Sequence, residues 1–269
     1  MRLQPASAQQ ERPKLNSFQI ICFTPIPTLE PATCWLAIAQ QAGRTALTSD
    51  KLILFDCDGV LVDSEPLAAV AYEHIFAKHG IVIGREIFAR CVGMKQADIL
   101  AQIETLTGYR LPRDNEPDIW QETKRLFGKS LQPTKGLTDF LNRLETPRCV
   151  ASSSSLERIN FSLHTTGLDR FFSENTIFSS SMVRQGKPAP DLFLYAAAQC
   201  GFLPEQCIVI EDSHFGVQGA LRAGMKAIGF TGGSHSDKDH AQRLLANGAS
   251  AACTSWEDVA EILFALGYV

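Results

Sequence analysis

The sequence predicts an α/β fold: a doubly wound, Rossmann-like parallel sheet with an inserted α-helical domain. Three observations predict it. Short apolar runs recur along the chain with helical patterns between them, as in βαβ units. The runs are continuously apolar rather than alternating, as expected of parallel strands buried on both faces. One stretch, about 65–129, has helical spacing only and interrupts the alternation.

The elements follow in order. Residues 1–48 hold Arg2, Arg12, Lys14 and Arg44 against Glu11 and Glu30, and they contain Pro5, Pro13, Pro25, Pro27 and Pro31. Their apolar patches, around Ile20 and Trp35, are broken by Pro and polar residues, unlike a secretory signal. The scarcity of acids also allows an organellar transit peptide. The favoured reading is a poorly ordered extension outside the fold. The first strand is Leu52-Ile53-Leu54-Phe55. Later strands are read at Cys149-Val150-Ala151, Thr176-Ile177-Phe178, Cys207-Ile208-Val209-Ile210 and Lys226-Ala227-Ile228-Gly229-Phe230. Helices are read over 138–144, 156–166, 190–200 and 216–223. In the insertion, Pro66 suits a first helical turn, and Leu67, Val70, Ala71, Ile75 and Phe76 share one face. Ile87-Phe88 and Ile99, Leu100, Ile103 and Leu106 continue the helical spacing. The predicted division is 1–48 as extension, 49–64 with 130–269 as α/β core, and 65–129 as helical cap.

Composition narrows the function classes. The chain has 269 residues, 45% of them apolar and 20% charged, enough apolar area to exclude disorder throughout. The net charge of −4 divides into +2 on residues 1–48 and −6 on the rest. No chain-wide basic field therefore recruits nucleic acid or an anionic membrane. The eight cysteines form no C-x-x-C pair. They read as buried thiols of a reducing, cytoplasmic compartment. No run of about 18 uncharged apolar residues suggests a membrane span.

Four fragments stand at or just after predicted strand ends, where open α/β sheets bind ligands. They are Asp56-Cys57-Asp58-Gly59-Val60-Leu61-Val62-Asp63-Ser64-Glu65, Ala151-Ser152-Ser153-Ser154, Gly186-Lys187-Pro188 and Glu211-Asp212-Ser213. Residues two apart on an extended segment face the same way, so Asp56 and Asp58 can reach one centre. Glu211 and Asp212 add carboxylates from another strand end. Such a cluster repels itself unless a cation sits in it, and oxygen ligands suit Mg²⁺. Lys187 supplies fixed positive charge and Ser152 a hydroxyl. Carboxylate nucleophile, metal, lysine and hydroxyl are the parts of phosphoryl transfer. A calcium loop is the bland rival. It needs Gly sixth and Glu twelfth, but Gly59 is fourth and Leu67 twelfth.

These fragments together resemble the haloacid dehalogenase superfamily, in its phosphatase branch with a helical cap inserted after the first strand. The resemblance spans roughly residues 51–265. It implies that Asp56 is the nucleophile forming an aspartyl-phosphate, and that Asp58 is first the acid for the leaving oxygen and then the base for water. It implies phosphate binding by Ser152, Ser153 and Lys187. Mg²⁺ would be held by Asp56, Asp212, the Asp58 carbonyl and Glu211, and residues 59–63 would form the cap hinge. Asp58 disfavours the dehalogenases and phosphonoacetaldehyde hydrolases, which lack that second Asp. β-Phosphoglucomutase carries a cap His five residues beyond the position of Asp63, where this sequence has Ala68. That departure favours hydrolysis. The chain is most similar to bacterial sugar-phosphate phosphatases, including those acting on 6-phosphogluconate, with phosphoglycolate phosphatases sharing the motifs. The substrate is expected to be a small phosphorylated metabolite and the protein a monomer or weak dimer.

Within the cap, the loop from Arg90 to Gln96 is expected to face the core, with Lys95 meeting an anionic substrate group or solvent. Glu65 and His214 are further candidate substrate contacts, and Ser64 and Ser154 candidate supports of the site. His74 and His79 are expected to be solvated, and His235 to lie on a plain surface loop.

Overall fold

The structure is a computed structural model, and it describes residues 50–269 except 85, 86, 89, 90 and 92. The extension read over 1–48 lies outside the described residues, as do Cys22, Cys34, Arg90 and Val92.

Six parallel strands form one sheet: β1 Leu52–Phe55, β2 Arg148–Ser152, β3 Ile177–Ser179, β4 Cys207–Glu211, β5 Lys226–Phe230 and β6 Ala251–Cys253. Their order is β3-β2-β1-β4-β5-β6. The strand order reverses beside β1, so the crevice between the carboxyl ends of β1 and β4 is the switch point where ligands bind. Around the sheet lie α1 Glu65–Ala77, α2 Gln96–Thr107, α3 Glu116–Ser130, α4 Leu137–Arg143, α5 Leu156–Thr166, α6 Asp191–Cys200, α7 His214–Arg222, α8 His240–Ala246 and α9 Trp256–Ala265.

Strand periodicity explains the layers. Ile53 and Phe55 enter one core with Ile208 and Ile210, under α4, α5 and α9. Leu52 and Leu54 enter the opposite core with Val209, under α6, α7 and α8. Every residue of β1 is buried, which is why the run reads as continuously apolar. A third core, including Tyr72, Phe76, Ile103, Leu111 and Ile119, belongs to the helical segment after β1.

The sequence reading of helix 156–166 coincides with α5. It does not single out β6, α8 or α9. Both β6 and α8 are short, three and seven residues, and β6 is only partly buried.

The chain leaves the sheet after β1 and returns to it after α3 along adjacent paths. The Asp63 amide donates to the Gln132 carbonyl at 3.0 Å. The Thr134 hydroxyl donates to the Val60 carbonyl at 2.6 Å and accepts from Trp256 Nε1 at 2.9 Å. Trp256 in turn packs on Phe55, Phe140 and Phe230. The crossing is thus anchored to the ring cluster directly beneath Asp56.

Phe55 is fully buried against Phe140, Phe172 and Trp256. Replacing it with Ala should cost about 3–5 kcal/mol of unfolding free energy by denaturant titration. A loss below about 1 kcal/mol would show that this cluster does not support the sheet.

Candidate active site

Asp56 follows β1 directly. Its amide donates to the Ile210 carbonyl at 3.0 Å, the last rung between β1 and β4. That rung aims the side chain into the switch-point crevice. Lys187 arrives from the loop before α6 with its side chain only 1% exposed. Its Nζ donates to Asp56 Oδ1 and to Glu211 Oε1, both at 2.5 Å. Burial opposes the ammonium charge, but Asp56 and Glu211 outweigh it and hold the lysine well above its ordinary range. Burial pushes the Asp56 carboxyl up; Lys187 pulls it down, while Glu211, Asp212 and Asp58 push it further up. One lysine shared between two carboxylates leaves this cluster short of positive charge.

Asp58 faces the same crevice with different partners. The Ser64 hydroxyl donates to its Oδ1 at 2.6 Å, the Ser154 hydroxyl to Oδ2 at 2.5 Å, and Arg158 Nη2 to Oδ1 at 2.7 Å. Burial raises this carboxyl, yet Arg158 and the two hydroxyls outweigh burial and hold it below the usual range. Local structure explains each partner. Ser64 sits at the N-cap of α1 but makes no side-chain cap bond, leaving its hydroxyl for Asp58. Ser155 caps α5 by accepting from the Arg158 amide at 3.2 Å, which fixes Arg158 on the first turn. The Arg158 guanidinium also lies over the Phe127 ring at 5.2 Å.

Glu211 ends β4 and Asp212 follows it directly. The Ser213 amide and hydroxyl donate to Glu211 Oε2 at 2.8 and 2.9 Å. Gly59, at φ +76°, has Asp212 so close that a Cβ there would fall 1.8 Å from Oδ2. One oxygen each from Asp56, Glu211 and Asp212 lies within 4.8 Å of the others, and all three residues are buried. Asp212 Oδ2 is buried without a well-aligned hydrogen bond. An all-oxygen donor set of three buried carboxylates, two of which share a single lysine, fits a hard divalent cation.

The pocket above these groups is lined by Asp56, Asp58, Ser152, Ser153, Lys187 and Glu211, together with Glu65, Ser154 and Arg158. Its far wall is mainly apolar, formed by Ala68, Tyr72, Phe88, Met94 and Ile99. The structure therefore brings together Asp56, Asp58, Ser152, Ser153, Lys187, Glu211 and Glu65, with Asp212 beneath. It does not bring in His214, which is exposed and lies tilted against Phe215 with ring centroids 3.9 Å apart. Lys95 lies outside the lining and reaches instead to the lysine loop, where a Cβ on Gly186 would fall 2.6 Å from its Nζ. His74 is exposed and pairs with Glu122 at 2.7 Å, while His79 leans on Tyr109.

His235 overturns its surface-loop reading. Its side chain is only 11% exposed, and Nε2 lies 3.1 Å from Asp212 Oδ2. Burial opposes its charge, but Asp212 outweighs burial and pushes the imidazole up to about 9. Arg158 is missed by sequence reasoning altogether. The available signal is its place four residues beyond Ser154, on the first turn of a helix that starts at the serine run. The described cysteines, Cys57, Cys91, Cys149, Cys200, Cys207 and Cys253, are all free thiols, and all but Cys200 are buried.

Residues 53–230 match the haloacid dehalogenase-like hydrolase family. The chain belongs to that family. It is 30% identical to the 6-phosphogluconate phosphatase of Escherichia coli over 186 residues, covering 68% of this chain and 84% of that one. It is 28% identical to a phosphorylated carbohydrates phosphatase of Thermotoga maritima over 203 residues, 74% and 92% of the two chains. A haloacid dehalogenase-like protein of unknown function from Agrobacterium tumefaciens superposes with a TM-score of 0.72 at 36% identity, covering 81% of this chain and all of that one. Among the described residues, no helix of this dehalogenase-family hydrolase is long and apolar enough to cross a membrane.

Glu65 gives a pH test. It is 8% exposed, and burial, helped by Asp58 and Asp212, pushes its carboxyl up to about 7 from the ordinary 4.5. The folded state then holds its proton more tightly than the unfolded state, so stability falls as pH rises from about 4.5 to about 7. Above that window the cost is constant, on the order of 3 kcal/mol. Glu65→Gln should therefore raise the melting temperature more at pH 8 than at pH 5. An equal change at both would show that Glu65 ionises freely.

Proposed function

We propose that this protein is a Mg²⁺-dependent phosphomonoester hydrolase acting through an aspartyl-phosphate on Asp56. The observation that carries the reading is the pairing of Lys187 with Asp56 and Glu211, at 2.5 Å each, at the strand-order reversal. It supplies a nucleophilic carboxylate held by a buried cation, in a pocket that also holds a second, differently tuned carboxylate. The proposed substrate is a small phosphorylated metabolite, a sugar phosphate or phosphosugar acid such as 6-phosphogluconate. The names of the two phosphatases above support that class. Residues 65–129 act as the cap over the pocket.

In this mechanism Ser152 and Ser153 hold the phosphoryl oxygens and Lys187 offsets their charge. Asp56 attacks phosphorus as the bond to the leaving oxygen breaks. Asp58 must enter the cycle protonated; it gives that proton to the leaving oxygen, becoming the carboxylate that Arg158 and the hydroxyls favour, then takes a proton from the water that attacks the phosphoryl-aspartate, releasing phosphate and restoring both groups. Two of the partners of Asp58 are hydroxyls, which can donate to the carboxylate or accept from the acid, so Ser64 and Ser154 can serve both halves of the cycle. Asp56, Asp212 and the Asp58 carbonyl, with Glu211, would hold Mg²⁺. When bound, it would supply charge neutralisation on the transferring phosphoryl group.

The mutase alternative is weakened by a specific position. Ala68 is buried in the pocket wall, where it offers no group to move a proton on a sugar hydroxyl. The free thiols fit a cytoplasmic setting.

The test is phosphate release from a panel containing 6-phosphogluconate, hexose phosphates and phosphoglycolate. Turnover should require Mg²⁺, stop with chelator, and fall about a thousandfold or more in Asp56→Asn. Retained turnover in that variant would remove Asp56 as nucleophile. Interconversion of β-glucose 1-phosphate and glucose 6-phosphate would favour the mutase instead.

A further inference from the structure

Lys187 answers Asp56 and Glu211 but not Asp212, whose ion-pair contact among the described residues is His235. We propose that His235 is a positioning residue for Asp212: it engages Oδ2 and thereby fixes the carboxylate that is to hold the divalent cation. This rests on the metal-assisted reading above.

The placement of His235 is built rather than incidental. The Ser234 amide donates to Asp63 Oδ1 at 3.0 Å, tying the loop after β5 to the segment after β1. The His235 ring stands edge-on to His240, with centroids 5.4 Å apart. His240 Nε2 donates to the Asp212 carbonyl at 2.6 Å, and its Nδ1 meets the Ser236 hydroxyl at 2.8 Å. One histidine thus holds the backbone of Asp212 while the other faces its carboxylate. The His235 ring passes between two glycines, and a Cβ on Gly59 or on Gly233 would fall 2.9 or 2.8 Å from it. Glycine at both positions admits the imidazole to Asp212.

Both ring nitrogens of His235 and Asp212 Oδ2 are buried without a well-aligned hydrogen bond, although Nε2 and Oδ2 lie 3.1 Å apart. An oxygen of Asp212 already lies within 4.8 Å of ligand oxygens of Asp56 and Glu211. A carboxylate with one oxygen engaged by an imidazole presents the other in a fixed direction, which is how outer partners orient metal ligands.

The experiment is calorimetric titration of the chelator-stripped full chain with Mg²⁺, for wild type, His235→Phe and His235→Gln. Phenylalanine keeps a ring between the glycines and removes the nitrogens. Glutamine restores an N–H at about the reach of Nε2. His235→Phe should bind Mg²⁺ about 10–100-fold more weakly, while still unfolding in one cooperative transition when metal-free. His235→Gln should recover most of that loss. Unchanged or tighter binding in His235→Phe would overturn the proposal, as would His235→Gln no better than His235→Phe. Failure of the wild type to bind Mg²⁺ would instead overturn the metal-assisted reading on which the proposal rests.

Discussion

The buried ammonium of Lys187, shared between Asp56 and Glu211, is the interaction on which the site depends. Three carboxylates converge at the ends of β1 and β4, and burial pushes the Asp56 carboxyl up. Lys187 keeps two of them together at 2.5 Å each without supplying a full counter-charge for the group. Under the proposed function, the remaining deficit would give a divalent cation a place and a phosphoryl group a destination. The ring of Phe193, 5.1 Å from Nζ, and the nearly complete exclusion of solvent strengthen each of these charge contacts.

The sheet makes that convergence possible. Strand order reverses beside β1, so two strand ends meet with no strand between them, and the last ladder bond sets Asp56 against Ile210. The same carboxyl end anchors the crossing into the helical segment through Thr134, Trp256 and the ring cluster around Phe55. Movement of that segment would therefore be registered at Val60 and Asp63, within the motif that carries Asp56 and Asp58. The two aspartates, two residues apart, meet opposite environments. Asp56 is crowded by carboxylates, whereas Asp58 is surrounded by donors. For the proposed roles that resting difference must be reversed: Asp56 has to be ionised and Asp58 protonated, which a cation at the carboxylate cluster and a phosphoryl group beside Asp58 would favour.

The strands and their end motifs were legible in the sequence because both signals are local. A strand buried on both faces reads as an unbroken apolar run, and its end is marked by the carboxylates that follow, as at Phe55-Asp56 and Ile210-Glu211. Two features were not legible, because each is a contact between distant segments. Arg158 meets Asp58 across 100 residues of sequence, and nothing beside Arg158 indicates its partner. His235 sits in Gly232-Gly233-Ser234-His235, which has the composition of an exposed turn. Only the fold shows that its glycine neighbour and Gly59 clear a path to Asp212. The short β6, Ala251–Cys253, carries no β-branched residue to mark it as a strand. His214 failed for the opposite reason. It adjoins a genuine motif, but the first turn of α7 carries it to the surface.

The most direct measurement is the covalent intermediate itself. Wild-type protein mixed with Mg²⁺ and a substrate from the panel, quenched in acid within one turnover, can be digested and its phosphorylated peptide sequenced by mass spectrometry. The predicted result is a single acid-stable, hydroxylamine-sensitive phosphoryl group on Asp56. A phosphoryl group on another residue, or turnover with no covalent phosphoryl-protein at any quench time, would contradict the role assigned to the carboxylate that Lys187 holds.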